Sequence, residues 1–192
     1  MTVYPSTGTL PDNLDAFSNL QFFYLSANQI GGTVPAQIGN IKSLQQIGFD
    51  SNQLTGTIPE TFSNLAVVQN FYFQNNLLTG NLDVLANLKN VQYMYVSNNR
   101  FTGELSPQFT TLPLLQQFGV DSNQLSGSVP TGFGNYQAVF QAFYGQNNLF
   151  NGTFSSSFSL CSKPSATCDL SNNDFSCPVP NPICCSVTNC VY

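Results

Sequence analysis

The sequence predicts a repeat solenoid, a fold in which short coils of chain stack on one another and share one continuous core. Asparagine recurs about every 24 residues along most of the chain, which is a spacing typical of solenoid repeats. Fixed columns of apolar residues and of glycine accompany these asparagines. A coil of this length cannot bury its own apolar face, so the coils must stack.

The repeat is clearest in columns counted from the asparagine. The asparagines are Asn28, Asn52, Asn76, Asn99, Asn123, Asn148 and Asn173. The positions three and five residues before them are nearly all apolar, and a glycine comes four residues after each of the first six. Those glycines are Gly32, Gly56, Gly80, Gly103, Gly127 and Gly152. So many aligned columns indicate one structural unit repeated along the chain.

Each unit opens with a short alternating strand, as in residues 44–49, with one face inward and the other outward. The asparagine that ends the strand carries an amide suited to satisfying backbone groups in the turn and in the next coil. We therefore expect seven full coils and a partial first one, with parallel strands of three to five residues and no long helices. Gly145 stands in a core strand column and predicts a packing gap. A phenylalanine column should line the far side of the core: Phe62, Phe109, Phe133 and Phe158.

The composition excludes several classes of protein. Charged residues make up only 7% of the chain, against roughly 25% in an average soluble domain. Only four residues are basic, so the positive footprint that nucleic-acid binding needs is missing. No apolar run reaches about 18 residues, and we expect no membrane insertion. The 17 phenylalanines and 8 tyrosines argue against disorder.

All cysteines lie near the C-terminus: Cys161, Cys168, Cys177, Cys184, Cys185 and Cys190. An even number in one segment predicts disulfides made in an oxidising compartment. A metal site is the weaker alternative, because the chain has no histidine and two of the cysteines are adjacent. We divide the chain into a solenoid, residues 1–160, and a final coil with a cysteine-rich cap, residues 161–192. Among the possible connectivities we prefer Cys161 with Cys168, and Cys177 with Cys184 or Cys185.

Residues 44–65, LQQIGFDSNQLTGTIPETFSNL, resemble the plant-type leucine-rich repeat, LxxLxLxxNxLxGxIPxxLxxL. The resemblance extends over nearly the whole chain. It implies an α/β-type repeat solenoid: a right-handed arc of about seven coils with a parallel concave β-sheet, little helix and a disulfide-stapled C-terminal cap. The family includes polygalacturonase-inhibiting proteins, receptor-kinase ectodomains and a leucine-rich-repeat antifreeze protein, and it commonly holds ligands on the concave face. Departures are the missing N-terminal cysteine cap, and Asp83 and Ser155 in place of proline.

The outward positions of the strands predict an aromatic concave face. Its candidate ligand-binding residues are Phe22, Tyr24, Asp50, Tyr72, Tyr93, Tyr95, Asp121 and Tyr144. Tyrosine-rich patches with scattered polar groups suit recognition of a protein or a polysaccharide. The alternative is that the rings pack on each other and stabilise the sheet. We expect a secreted or cell-surface binding module that is a monomer or a weak dimer.

A longer repeat overlies the coils. Residues 45–54 match residues 116–125 almost throughout, so a block of three coils occurs twice. Tandem duplication explains this match. A two-fold repeated ligand surface is the functional interpretation of the same observation.

The residues that flank each glycine form a second candidate surface. They include Thr33, Thr55, Thr57, Thr79, Thr102, Ser126, Ser128 and Thr153. If this stretch is extended, the two flanking side chains point the same way, roughly 6.6 Å apart, and stacked coils make two hydroxyl ladders. Such an array suits ice binding, although Glu104 interrupts it; hydrogen bonding within the ladders is the alternative. A spacer in a longer adhesive protein is a third possibility.

Enzyme chemistry finds little support. The chain has no histidine for a triad or a general base. Asp50 and Asp121 are three strands apart, roughly 14 Å, which is too far for a glycosidase pair. We expect no enzyme activity, no cofactor and no metal. The sequence Asn151-Gly152-Thr153 is a glycosylation motif and fits a secreted protein.

Overall fold

The computed structural model describes residues 6–135, 139–153, 166–176 and 185–186. Over these residues the chain forms a solenoid whose coils supply strands to two parallel sheets. Most coils also contain a short 3₁₀ helix. The predicted repeat solenoid with a parallel sheet and little helix is confirmed. Numbered in chain order, the even strands form one sheet and the odd strands form the other.

The even strands are those predicted for the concave side, and we call them the concave sheet. Seven of the eight have three residues, as expected, and the last has two. Each pairs in parallel with the strand one coil away. They are β2 (Phe22–Tyr24), β4 (Gln46–Gly48), β6 (Asn70–Tyr72), β8 (Tyr93–Tyr95), β10 (Gln117–Gly119), β12 (Ala142–Tyr144), β14 (Thr167–Asp169) and β16 (Cys185–Ser186).

The stretch around each glycine is also extended and builds a second parallel sheet of eight strands. The condition on which the hydroxyl surface depended is therefore met. The strands are β1 (Thr7–Thr9), β3 (Gln29–Thr33), β5 (Gln53–Thr57), β7 (Leu77–Gly80), β9 (Arg100–Glu104), β11 (Gln124–Gly127), β13 (Leu149–Thr153) and β15 (Asp174–Ser176).

Helical structure is limited to single 3₁₀ turns of three to five residues in the described part of the chain. Within the same residues, no helix combines the length and the apolar character needed to cross a membrane. The short turns let each coil close without a long helix. They are Leu14–Ala16, Ala36–Asn40, Glu60–Asn64, Asp83–Asn87, Pro107–Thr111 and Thr131–Asn135.

The core lies between the two sheets and the 3₁₀ turns, and phenylalanine rings fill much of it. In the N-terminal half, the rings of Phe71 and Phe73 stack with centroids 4.3 Å apart. Phe62 approaches both of them edge-on at 6.2 Å, and Phe49 lies 5.2 Å from Phe73. All four side chains are buried.

A second ring cluster occupies the next three coils. Phe118 lies 5.0 Å from Phe109, and Phe133 lies 5.1 Å from Phe143, each pair with nearly parallel ring planes. These four rings are also fully buried. Phe62, Phe109 and Phe133 therefore form the predicted far-side column, whereas Phe158 lies outside the described residues.

The repeated asparagines tie neighbouring coils together. Asn99 Nδ2 donates to the carbonyl oxygens of Phe73, at 2.9 Å, and Val96, at 3.1 Å, and Asn99 Oδ1 accepts from the Leu78 amide at 3.0 Å. Val96 belongs to the same coil, but Phe73 and Leu78 belong to the preceding one. We expected each asparagine to bond with the next coil, and this was wrong. Each one bonds with the preceding coil, because it lies over the strand end of that coil. Equivalent bonds occur at Asn52, Asn76, Asn123, Asn148 and Asn173.

The packing gap predicted at Gly145 does not exist. A β-carbon built there would lie 2.8 Å from Leu170 Cδ2 and 3.2 Å from Phe143 Cζ. The neighbouring side chains have moved into the space that a larger residue would occupy.

One cysteine of the cap is well described. Cys168 is buried in β14 and disulfide-bonded, and its strand pairs with β16 in the register Cys168 to Cys185. In the predicted pairs, Cys161, Cys177 and Cys184 lie outside the described residues, so both pairings stay predictions. The proposed division of the chain at residue 160 also falls outside them.

Candidate functional site

The structure brings the predicted aromatic residues onto one face of the concave sheet. The parallel register aligns the last residue of each strand into a row that crosses the sheet. In order the row reads Tyr24, Gly48, Tyr72, Tyr95, Gly119, Tyr144 and Asp169. Phe22 and Tyr24 are 50% and 46% exposed, and the other predicted tyrosines are partly buried.

Tyrosine rings from the preceding coils lie over the two glycines in this row. A β-carbon on Gly48 would lie 2.7 Å from Cε1 of Tyr24, and one on Gly119 would lie 2.6 Å from Cδ1 of Tyr95. Real side chains do not approach so closely, so any residue larger than glycine would displace the ring. Each glycine thus allows a tyrosine to lean across the next strand.

Hydrogen bonds fix the first of these tyrosines. Tyr24 Oη donates to Gln46 Oε1 on the next strand. Beside it, Ser26 Oγ donates to Asp50 Oδ1 and lies 3.3 Å from the Gly48 carbonyl oxygen. We call these five residues the first block site.

The same arrangement occurs three coils later. Tyr95 Oη donates to Gln117 Oε1, and Ser97 Oγ donates to Asp121 Oδ1. Gly119 lies under the Tyr95 ring as Gly48 lies under Tyr24. We call this set the second block site. The duplicated sequence block therefore forms a duplicated set of contacts.

Contacts of the remaining tyrosines within the sheet fit, in part, the alternative that the rings stabilise it. Tyr72 and Tyr95 lie with ring centroids 5.9 Å apart and planes inclined by 32°. Tyr93 Oη donates to Gln116 Oε1 at 2.9 Å. Rings that contact each other on one side still present their other side to a ligand.

Burial raises the pKa of the Tyr72 phenol, and its electrostatic interactions with Tyr24, Tyr93 and Asp50 raise that pKa further. Burial likewise raises the pKa of Tyr95, with added contributions from neighbouring tyrosines. Both phenols therefore keep their protons well beyond neutral pH and remain hydrogen-bond donors.

Two buried acceptors on this sheet face have no partner. They are Oε1 of Gln74 and Oε1 of Gln146, at equivalent positions in the two three-coil blocks. The pair repeats with the three-coil block, as the block sites do.

Sequence reasoning missed a glutamine column along one edge of the sheet, seven residues before each of the first six repeat asparagines. Gln116 Nε2 donates to Gln92 Oε1 at 3.3 Å, and Gln141 Nε2 donates to Gln116 Oε1 at 3.4 Å. The column was visible in the sequence as Gln21, Gln45, Gln69, Gln92, Gln116 and Gln141.

A second missed column lies directly before the repeat asparagines. Its residues adopt left-handed backbone angles, with φ between 52° and 59°, a region that asparagine tolerates better than most residues. Asn98 Nδ2 donates to Asn75 Oδ1 at 2.8 Å, and Asn172 Nδ2 donates to Asn147 Oδ1 at the same distance. These polar side chains border the concave sheet on the side opposite the glutamines.

The outward face of the concave sheet is acidic. Its strands contain no lysine or arginine in the described part of the chain, whereas Asp50, Asp121 and Asp169 face outward from it. Lys42 Nζ and Lys89 Nζ instead donate to backbone carbonyls at the ends of 3₁₀ turns. The candidate site therefore carries negative charge.

The second sheet places the predicted hydroxyls on an exposed face, but with a stagger. Paired residues on neighbouring strands are two positions apart in the repeat, so that Thr33 lies opposite Thr55, and Thr57 opposite Thr79. The first row continues to Leu77. The hydroxyls directly opposite one another thus form short rows that end in bulkier residues.

The stagger also explains the glycine column. Cγ2 of Thr33 lies 3.0 Å from where a β-carbon on Gly56 would be, and Cγ2 of Thr57 lies 2.8 Å from that on Gly80. Both glycines have positive φ, 75° and 85°. Conformation and crowding together require glycine here.

Comparison with known proteins agrees with this architecture. A family model described as Leucine Rich Repeat matches residues 19–41, 43–65 and 90–112. The leucine-rich-repeat ectodomain of the Arabidopsis thaliana membrane receptor kinase GASSHO1/SCHENGEN3, solved in complex with CASPARIAN STRIP INTEGRITY FACTOR 2, is 27% identical with a TM-score of 0.84. That match covers 91% of this chain and 21% of the receptor chain. The chain is a plant-type leucine-rich-repeat protein.

Two further solved structures are similar to this leucine-rich-repeat protein. The plant peptide hormone receptor RGFR1 in complex with RGF2 is 27% identical, with a TM-score of 0.70, and the match covers 88% of this chain and 31% of that one. A plant ice-binding protein is 26% identical, with a TM-score of 0.73, and the match covers 80% and 49%. No curated protein sequence matched. The chain thus spans about a fifth to a half of the length of these three proteins.

The glycosylation motif of this leucine-rich-repeat protein lies in the second sheet. Asn151 is exposed in β13 and pairs with Asp174 of β15. Its modification stays a prediction. A glycan attached there would cover the C-terminal end of the hydroxyl surface and leave the concave sheet open.

Proposed function

We propose that this protein is an extracellular binding module, secreted or at the cell surface, whose concave sheet holds a protein or polysaccharide ligand. The observation that carries the proposal is the duplicated block site with partly exposed tyrosines around it. Receptors of similar fold were solved with their ligands, which supports the proposal. The chain acts as a monomer or a weak dimer and needs neither cofactor nor metal for binding.

Substitution of Tyr72 or Tyr95 by alanine is expected to weaken binding by about 1–3 kcal/mol each, as for central aromatic residues of other interfaces. Both rings lie in the middle of the concave sheet, where a ligand would exclude water most completely. Arrays of glycans and of secreted proteins would first identify a ligand, and calorimetry would then compare the variants.

The matched control is Phe17→Ala, which removes a ring that is 57% exposed and lies outside the concave sheet. It should leave the affinity unchanged. A ligand that binds both tyrosine variants as tightly as the original protein would exclude the concave sheet as its site.

Ice binding is the second candidate, and the regular exposed second sheet favours it. The similar plant ice-binding protein supports the same possibility. Ice binding ranks below the concave-sheet proposal, because the hydroxyl rows are short and bulkier side chains interrupt the array.

If the second sheet binds ice, Thr55→Tyr should abolish thermal hysteresis, since a large ring would stand above the row that contains Thr33 and Thr55. Ice-crystal shape and freezing-point depression measure this directly. The control is Tyr95→Ala, which should keep full hysteresis because Tyr95 lies on the other sheet. If the unsubstituted protein shows no thermal hysteresis, ice binding is excluded. If variants of both sheets keep every activity, the chain is better interpreted as a spacer of a longer adhesive protein.

A further inference from the structure

We propose that the concave sheet binds an extended peptide with two basic side chains four residues apart, one for Asp50 and one for Asp121. This inference rests on the proposed function and narrows its ligand class. It depends on which hydrogen-bonding groups the block sites leave free, on the charge of the sheet and on the spacing of the two aspartates.

The block sites use their donors internally. The hydroxyl protons of Tyr24 and Ser26 go to acceptors of the next coil, and those of Tyr95 and Ser97 do the same in the second block site. Each aspartate accepts its serine through Oδ1, and Asp121 also accepts the Ser122 hydroxyl through Oδ2 at 3.5 Å. Each carboxylate still has further lone pairs for a ligand. The two aspartates therefore offer acceptors, and a ligand that engages them must bring donors.

The charge of the sheet selects a cation. Three aspartates face outward, and the described strands of the sheet carry no basic residue to neutralise them. Carboxylates form their strongest hydrogen bonds with arginine and lysine, and complementary charge also speeds association. A basic peptide fits this surface better than a neutral glycan does.

The spacing sets the peptide pattern. Asp50 follows β4 and Asp121 follows β10, three strand steps apart, which is about 14 Å at about 4.8 Å per step. Four residues of extended chain also span about 14 Å, and residues i and i+4 project to the same side. A peptide that crosses the strands would thus present one basic side chain to each aspartate. Tyr72 and Tyr95, on the two strands between, would pack against the residues that join them.

Two fluorescein-labelled nonapeptides test the spacing on the full chain. Both have a serine and threonine background with two arginines, at positions 3 and 7 in one peptide and at positions 3 and 6 in the other. Fluorescence anisotropy at low salt should show about tenfold tighter binding of the 3,7 peptide, because the 3,6 peptide turns one arginine away from the sheet. Affinity should fall as salt rises.

Isosteric variants test the residues. Asp50→Asn and Asp121→Asn keep an oxygen for the serine hydroxyl, and each should remove most of the preference for the 3,7 peptide. Asp83→Asn and Asp174→Asn are matched controls, because both carboxylates are exposed away from the concave sheet, and they should preserve the preference.

Equal affinity for the two peptides, no binding of either, or a preference that survives both Asn substitutions would overturn the proposal. If a glycan or a folded protein binds through Tyr72 and Tyr95 while the peptides do not, the peptide proposal fails and the proposed function stands. If nothing binds through those tyrosines either, both fail.

Discussion

Replacing Asn99 by alanine is expected to destabilise the solenoid by about 2–4 kcal/mol, a large fraction of a typical domain's stability. The substitution removes the amide that serves the Phe73 and Val96 carbonyls and the Leu78 amide. The Leu78 amide then lies buried without its side-chain acceptor, at a cost of about 1–3 kcal/mol. The two carbonyls keep a second donor, from Asn76 and Asn123, so losing the Asn99 bonds costs only about 0.5–1.5 kcal/mol each. Urea denaturation followed by circular dichroism measures the loss.

Two companion variants show that the cost comes from the hydrogen bonds. Asn64→Ala removes an exposed asparagine from a 3₁₀ turn and should change stability by less than about 0.5 kcal/mol. Asn99→Asp keeps the acceptor for Leu78 but loses both donated bonds, so it should also destabilise the fold strongly at neutral pH. A loss below about 1 kcal/mol for Asn99→Ala would contradict the assignment of these bonds as the main link between coils.

Replacing Phe118 by alanine is expected to cost about 3–5 kcal/mol as well. The ring is fully buried and lies within 6.0 Å of the rings of Phe109, Phe133 and Phe143. Its removal leaves a cavity in the middle of the stack, where the neighbouring coils depend on each other for burial. Because repeat proteins are stabilised by contacts between neighbours, we also expect a broader unfolding transition, detectable as a lower m-value.

The control for this variant is Phe17→Ala, since that ring is 57% exposed and contributes little burial. Phe118→Leu should recover most of the stability because it refills much of the space. If the alanine and leucine variants were equally stable, the cavity would not be the cause of the loss.

The candidate site was predicted in part. Alternation along a strand is local, so the sequence alone assigns Tyr72, Tyr93 and Tyr95 to the outward face. The duplicated block was also visible in the sequence. The contacts within the block sites were not, because Tyr24 and Gln46 are 22 residues apart and meet only when the coils stack.

The sequence by itself determined the coil length, the core columns, the asparagine positions and the membership of the two faces. All of these depend on periodicity and on side-chain direction within one coil. Only the tertiary structure decided that each asparagine binds the preceding coil, that Leu170 fills the space at Gly145, and that the second sheet is staggered by two residues. It also decided that Tyr24 and Tyr95 lean across the glycines of the next coils. The physical reason is that each of these contacts joins different coils, and their register is set by how the whole core packs.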